Sequence, residues 1–194
     1  NNNQLAVLPN ILEKMETDLN LKFECFASAI NTSTTHFCSL YYDVEKYFGS
    51  IGSFFDVNLI KGTYSFNPPY QSDIIEIGVH KLIKHLTDSK ENLSFIITIP
   101  IWDDEGKSYM LKNNMENNNN KIEYGDFEIM KTIKTSEYFK GLRMISKNDF
   151  TYLDHNFNLY KNKTIQNTYV IVMSNFDNNY IEYINNYNFF DYIV

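Results

Sequence analysis

The chain has 194 residues, enough for one domain with a real core and too few for two comfortable ones. Its apolar fraction of 43% is ordinary for a globular protein, while 15 Tyr and 15 Phe make it unusually aromatic. A net charge of −7 argues against broad nonspecific attraction to nucleic acid, which comes mainly from basic residues meeting phosphates, although it leaves room for a local basic groove.

Taken in chain order, residues 4–18 show helical spacing of apolar positions, with Pro9 near the helix start. Residues 21–31 read as a short strand ending in small residues, and 32–50 as a helix plus loop. A second strand is expected over 52–60 and a third over 63–66, running into Asn67-Pro68-Pro69-Tyr70. Residues 72–89 give the clearest helix: Ser72 can cap it, Asp73 suits its first turn, and Ile75, Val79, Leu82, Ile83 and Leu86 share a face. The apolar run 93–102 suits a strand covered on both faces, with Trp102 at its end. An Asn-rich loop follows over 113–121, then a weaker strand at 142–146 and a strong one at 167–175. Strands alternating with helices imply a three-layer α/β domain with a largely parallel sheet, taken as one unit over 1–194. Within it, 1–20 reads as an N-terminal helical segment, 21–175 as the catalytic core and 176–194 as a C-terminal extension.

Two cysteines, Cys25 and Cys38, make neither a disulfide framework nor a metal-site spacing, so a reducing, intracellular setting is expected and no metal is assigned. No apolar run approaches the roughly 18 residues of a membrane span, and no membrane association is expected. His80 and His85, five apart on the 72–89 helix, have poor geometry for one metal ion. The chain opens on Asn, which suits a piece of a longer protein.

In open α/β sheets, ligands bind outside the carboxyl ends of the strands. Three segments should share that edge: Glu24-Cys25-Phe26-Ala27-Ser28 with Asn31 just beyond, Phe54-Phe55-Asp56, and Asn67-Pro68-Pro69-Tyr70. A double proline can simply stiffen a strand-to-helix turn. It can also carry chemistry at an exocyclic amine. The Asn side-chain oxygen and the first proline's carbonyl can each accept a hydrogen bond from an adenine amino group, while an aromatic ring stacks on the base. Those acceptors would aim the nitrogen lone pair at a sulfonium methyl and favour the positive charge that develops, through positioning and preorganised electrostatics.

Asn67-Pro68-Pro69-Tyr70 resembles the (Asp/Asn/Ser)-Pro-Pro-(Tyr/Phe/Trp) motif of S-adenosylmethionine-dependent amino-methyltransferases. Together with "FECFASAIN", "YFGSIGSFFD" and "SFIITIPIWDD", in that order across residues 21–104, it resembles the catalytic domain of the cap-specific adenosine N6-methyltransferase family, of the phosphorylated CTD-interacting factor type. The resemblance implies a Rossmann-like class I methyltransferase fold and S-adenosyl-L-methionine as cofactor. It implies that Asn67, Pro68, Pro69 and Tyr70 hold the target adenine, with Tyr70 where the family usually has Phe. Cofactor contact would fall to Glu24, Phe26, Ala27, Ser28, Asn31 and Asp56. The implied substrate is capped RNA beginning with adenosine. The expected location is intracellular: the nucleus, the cytoplasm or a viral replication compartment. A basic protein partner or a further domain could supply RNA grip. Two other readings remain open at this point: DNA adenine N6-methylation, and a catalytically degenerate scaffold or partner subunit of an RNA-modifying complex.

Overall fold

The computed structural model describes residues 5–100, 125–146, 151–154, 161–163 and 167–187. Trp102 and the Asn113–Asn120 loop lie outside the described residues. The sheet at the centre has six strands: β2 (Leu21–Glu24), β3 (His36–Phe37), β4 (Gly62–Phe66), β5 (Leu93–Pro100), β6 (Phe139–Ile145) and β9 (Thr168–Ser174), in the order β3-β2-β4-β5-β9-β6. A small antiparallel sheet of β1 (Leu5–Val7), β7 (Thr151–Asp154) and β8 (Lys161–Lys163) sits beside it.

The large sheet is largely parallel, as expected, and mixed only through β9: the other five strands share one direction. β3, β2, β4 and β5 pair in parallel, whereas β9 runs antiparallel to both β5 and β6. Periodicity identifies strands but carries no information on their direction, so the reversed β9 was not legible.

Helices cover both faces. α3 (Ser72–Asp88) and α4 (Gly125–Thr135) occupy one side, where Ile75, Val79, Leu82 and Ile133 meet Phe95, Ile97, Ile171 and Met173. α1 (Pro9–Leu19) and α5 (Tyr180–Asn186) occupy the other, where Ile11, Met15 and Ile184 meet Ile96, Val170 and Val172. Alternate residues of β5 and β9 thus serve opposite cores, as expected of strands buried on both faces. Each fully buried aliphatic side chain contributes roughly 1.5–3 kcal/mol of transfer free energy. Gly78 of α3 lets that helix close on the sheet: a Cβ there would lie 2.8 Å from Cζ of buried Phe66.

Local corrections have identifiable causes. α1 starts at Pro9, in the first helical turn where its missing N–H costs nothing, and the residues before it form β1. It stops at Asn20, which takes the left-handed conformation and returns its N–H to Met15 O. The 21–31 strand ends at Glu24, where the chain turns. Within 32–50 a strand, β3, precedes the short α2 (Tyr42–Glu45) and a 3-10 turn (Lys46–Phe48). Gly49 ends that turn at φ +106°, and a Cβ there would come 2.2 Å from Thr35 O, so only glycine fits.

No strand forms over 52–60; the N–H groups of Asp56 and Val57 both return to Ser53 O, making a helical-type turn that buries Phe54 in the core. Ser72 is the first helical residue of α3, so the cap position falls to Gln71, which makes no side-chain cap.

Candidate functional site

From β2 the chain moves outward to β3 on one side, and from β4 it moves to β5 on the other. The topological switch point therefore lies between the carboxyl ends of β2 and β4, where open α/β sheets hold their ligands. A cleft of about 460 Å³ opens there. One wall is the turn after β2, with Glu24, Phe26, Ala27, Ser28 and Asn31; the opposite wall is Asn67, Pro68, Pro69 and Tyr70. Phe54 and Phe55 close the floor, whereas Asp56 is not among the lining residues.

The turn after β2 is pinned to both neighbouring strands. Cys25 N–H donates to Ser65 O at 2.8 Å, and Ala27 N–H donates to Cys38 O at 2.9 Å. Asn31 holds the turn closed by accepting Ser28 N–H on Oδ1 at 2.7 Å. Glu24 is buried, and its Oε1 accepts from Ser33 N–H at 2.7 Å, Thr32 Oγ1 at 2.9 Å and Thr34 Oγ1 at 3.2 Å. Burial raises its pKa against the opposing pull of those donors. Cys25 and Cys38 are free, buried thiols; burial pushes Cys25 well up and Cys38 to about 12, so neither is a reactive thiolate at neutral pH.

On the facing wall, the prolines carry β4 into a bend that Gln71 N–H closes onto Pro69 O at 2.7 Å. Tyr70 directs its hydroxyl back to Asn67 Oδ1 at 3.4 Å. Its ring packs T-shaped on fully buried Tyr152, with centroids 5.9 Å apart. Burial and the neighbouring Tyr152 hold the Tyr70 phenol well above its ordinary pKa, so it is a neutral donor.

The residue that sequence reasoning missed is Glu45. It reaches the cleft from α2, and its Oε1 accepts Ala29 N–H at 2.9 Å. Its Oε2 and Ser28 Oγ are both buried and have no hydrogen-bond partner among the described residues. A signal existed in an acidic residue shortly after a strand, but with 32–50 read as helix plus loop there was no strand end to attach it to. His80 is exposed and His85 buried, and no cluster among the described residues could hold a metal ion. No helix among the described residues is long and apolar enough to cross a membrane.

The cleft lies at the carboxyl ends of parallel strands of an α/β sheet, the position where such sheets hold ligands, with the turn after β2 on one wall and the Asn-Pro-Pro-Tyr turn on the other. Residues 1–126 match the family described as "Phosphorylated CTD interacting factor 1 WW domain", and the chain belongs to that family. The matched residues include every cleft residue named above and the parallel strands β2–β5. A mouse protein named mRNA (2'-O-methyladenosine-N(6)-)-methyltransferase is 36% identical over 93 residues, which is 48% of this chain and 13% of the relative. The human protein of the same name is 34% identical over 93 residues, again 48% and 13%. The chain thus aligns with a small part of the curated relatives' length.

Proposed function

We propose that this chain transfers a methyl group from S-adenosyl-L-methionine to the N6 amino group of adenosine in RNA, at the first transcribed adenosine beside the cap. The observation that carries the reading is the meeting of two turns across one cleft: Glu24 to Ser28 from β2, and Asn67 to Tyr70 from β4. The adenosine N6 chemistry in the names of the mouse and human relatives supports it, and the cap-adjacent position follows from the resemblance of the sequence blocks.

The cleft residues fit the cofactor. Ser28 Oγ and Glu45 Oε2 are buried acceptors without a partner among the described residues, an arrangement that costs roughly 1–3 kcal/mol per group unless a ligand satisfies it. The ribose hydroxyls and ammonium of S-adenosylmethionine are donors of the required kind. Phe26 and Phe55 offer aromatic surfaces suited to a flat base or a cation, backed by buried Phe54. Bound there, the cofactor supplies a methyl carried on a sulfonium.

The chain's own residues then hold the acceptor adenine. Asn67 Oδ1 has two lone pairs, so it can take an amino hydrogen alongside the Tyr70 hydroxyl. Pro68 contributes a carbonyl whose direction the double proline fixes. Together they orient the amine and offset its developing charge, and no strong base is required.

The test uses labelled cofactor with capped A-starting RNA, uncapped RNA and duplex DNA. Label should enter N6 of the first adenosine of capped RNA, and Asn67→Ala should reduce it by about 100-fold or more, as for loss of a transition-state hydrogen-bond partner. Cofactor binding with no methylation of adenine in any polymer would overturn the reading. Preference for duplex DNA would redirect it to a DNA enzyme that must flip its base. A folded chain that binds no cofactor would favour the scaffold.

A further inference from the structure

Away from the cleft, at the amino ends of β2 and β4, lies a second, more open groove of about 930 Å³. Lys22, Lys61 and Lys90 line it, with His36 at one end and Glu91 as an acidic neighbour. All three lysines are exposed, and none joins an ion pair among the described residues. Tyr64 and Tyr180 form part of the wall. Tyr64 is held in place by donating to Lys61 O at 2.7 Å. Elsewhere the described lysines of α1 and α3 that form ion pairs are Lys14 and Lys84, each with an aspartate four residues on. The single arginine, Arg143, donates to Ile184 O and Tyr187 O at the end of α5, so it serves the fold.

In a chain of net charge −7, Lys22, Lys61 and Lys90, unpaired among the described residues, lie together in one groove beside aromatic rings and form a local cluster of positive charge there, while Lys46, Lys131 and Lys134 stand elsewhere on the surface. Two chain segments run from the groove to the cleft. The segment Gly49 to Ser53 runs along the sheet edge, with Phe37 N–H donating to Gly49 O and Ile51 N–H to Phe37 O. Ile51 borders the groove and Ser53 borders the cleft. Likewise His36 borders the groove, and Cys38 the cleft. The two sites are thus the two ends of one edge, separated by about 16 Å, the length of a five-residue strand.

We propose that this groove binds the phosphate backbone of single-stranded RNA, with Lys22, Lys61 and Lys90 as the phosphate contacts and the edge beside β3 as the path to the cleft. The inference rests on the RNA reading given above, but binding to the groove needs no methyl transfer and can be measured apart from it. Lysine contacts to phosphate carry no sequence preference, so the groove supplies affinity and the cleft supplies the choice of base.

The test is fluorescence anisotropy of the full chain with a labelled uncapped single-stranded RNA at several salt concentrations. Alongside it run a triple variant, Lys22→Ala with Lys61→Ala and Lys90→Ala, and the matching Lys→Arg triple variant. Wild type should show a log–log salt slope near −2, as about three released counterions give for a single strand. The alanine variant should lose at least tenfold in affinity at low salt, with its slope moving toward zero, while the arginine variant binds as wild type. Thermal melts and S-adenosylmethionine calorimetry should be unchanged, since the lysines are exposed and remote from the cleft. Equal RNA affinity of wild type and the alanine variant would overturn the proposal, as would absence of RNA binding by wild type or tighter binding of a phosphoserine peptide. Any of these with cofactor binding intact leaves the methyltransferase reading standing, and failure of methylation with a working groove separates the two the other way.

Discussion

The hydroxyl of Tyr70 donates to Oδ1 of Asn67 at 3.4 Å, so two residues of one Asn-Pro-Pro-Tyr turn are coupled through their side chains. The contact brings the Tyr70 hydroxyl against the Asn67 amide and joins the two ends of the turn. Behind it, Tyr152 bears on the Tyr70 ring and shares a 3.3 Å hydroxyl contact with Thr168 Oγ1 on β9. The turn is therefore braced from the opposite core.

Tyr70→Phe removes that hydrogen bond and keeps the ring. It should lower stability by about 1 kcal/mol, the net value of such a bond, and retain methyl transfer within about tenfold. Tyr70→Ala also removes the stacking surface, worth about 1–3 kcal/mol per base, and should raise KM for RNA by roughly 10- to 100-fold. Urea melts and steady-state kinetics on both variants check this. Equal damage from the two would assign the effect to the hydroxyl.

Ser28 Oγ and Glu45 Oε2 are buried with no hydrogen-bond partner among the described residues. Ser28→Ala should leave the melting temperature unchanged or higher, because it deletes an unsatisfied buried hydroxyl, and should weaken S-adenosylmethionine by about 2- to 10-fold. Glu45→Gln keeps an acceptor for Ala29 N–H but loses the charge, and should weaken the cofactor by about 10- to 100-fold. Calorimetry reads both. Unchanged affinity in both variants would remove these atoms from the cofactor site.

His85 is buried on α3 beside Phe54 and Phe95, and its Nδ1 accepts Leu59 N–H. Burial, helped by Lys81 and Lys84 and opposed by Asp88, lowers its pKa from 6.5 to about 4. A histidine depressed in the fold is protonated first in the unfolded chain. Stability from this group should therefore fall as pH drops from about 6.5 to about 4 and level off below that. Urea midpoints of wild type should show this fall, and His85→Gln, which retains an acceptor for Leu59, should flatten it. An identical profile in the variant would contradict the assignment.

The features legible in the sequence are those with local causes. Pro9 marks the α1 start because only the first turn tolerates it; the 3.6-residue spacing from Ile75 to Leu86 marks α3; continuous apolar runs mark β5 and β9. The Asn67 to Tyr70 turn was readable for the same reason, since two prolines constrain their own backbone wherever the chain goes. The tertiary structure alone decided that β9 runs backward between β5 and β6, that Phe54 sits in a core turn rather than a strand, and that Glu45 arrives at the cleft. It also decided that Lys22, Lys61 and Lys90 share a groove. Strand pairing and loop packing depend on contacts between residues far apart in the chain. A local pattern therefore names the turn that offers acceptors to an amine, and only the folded sheet says which atoms face it.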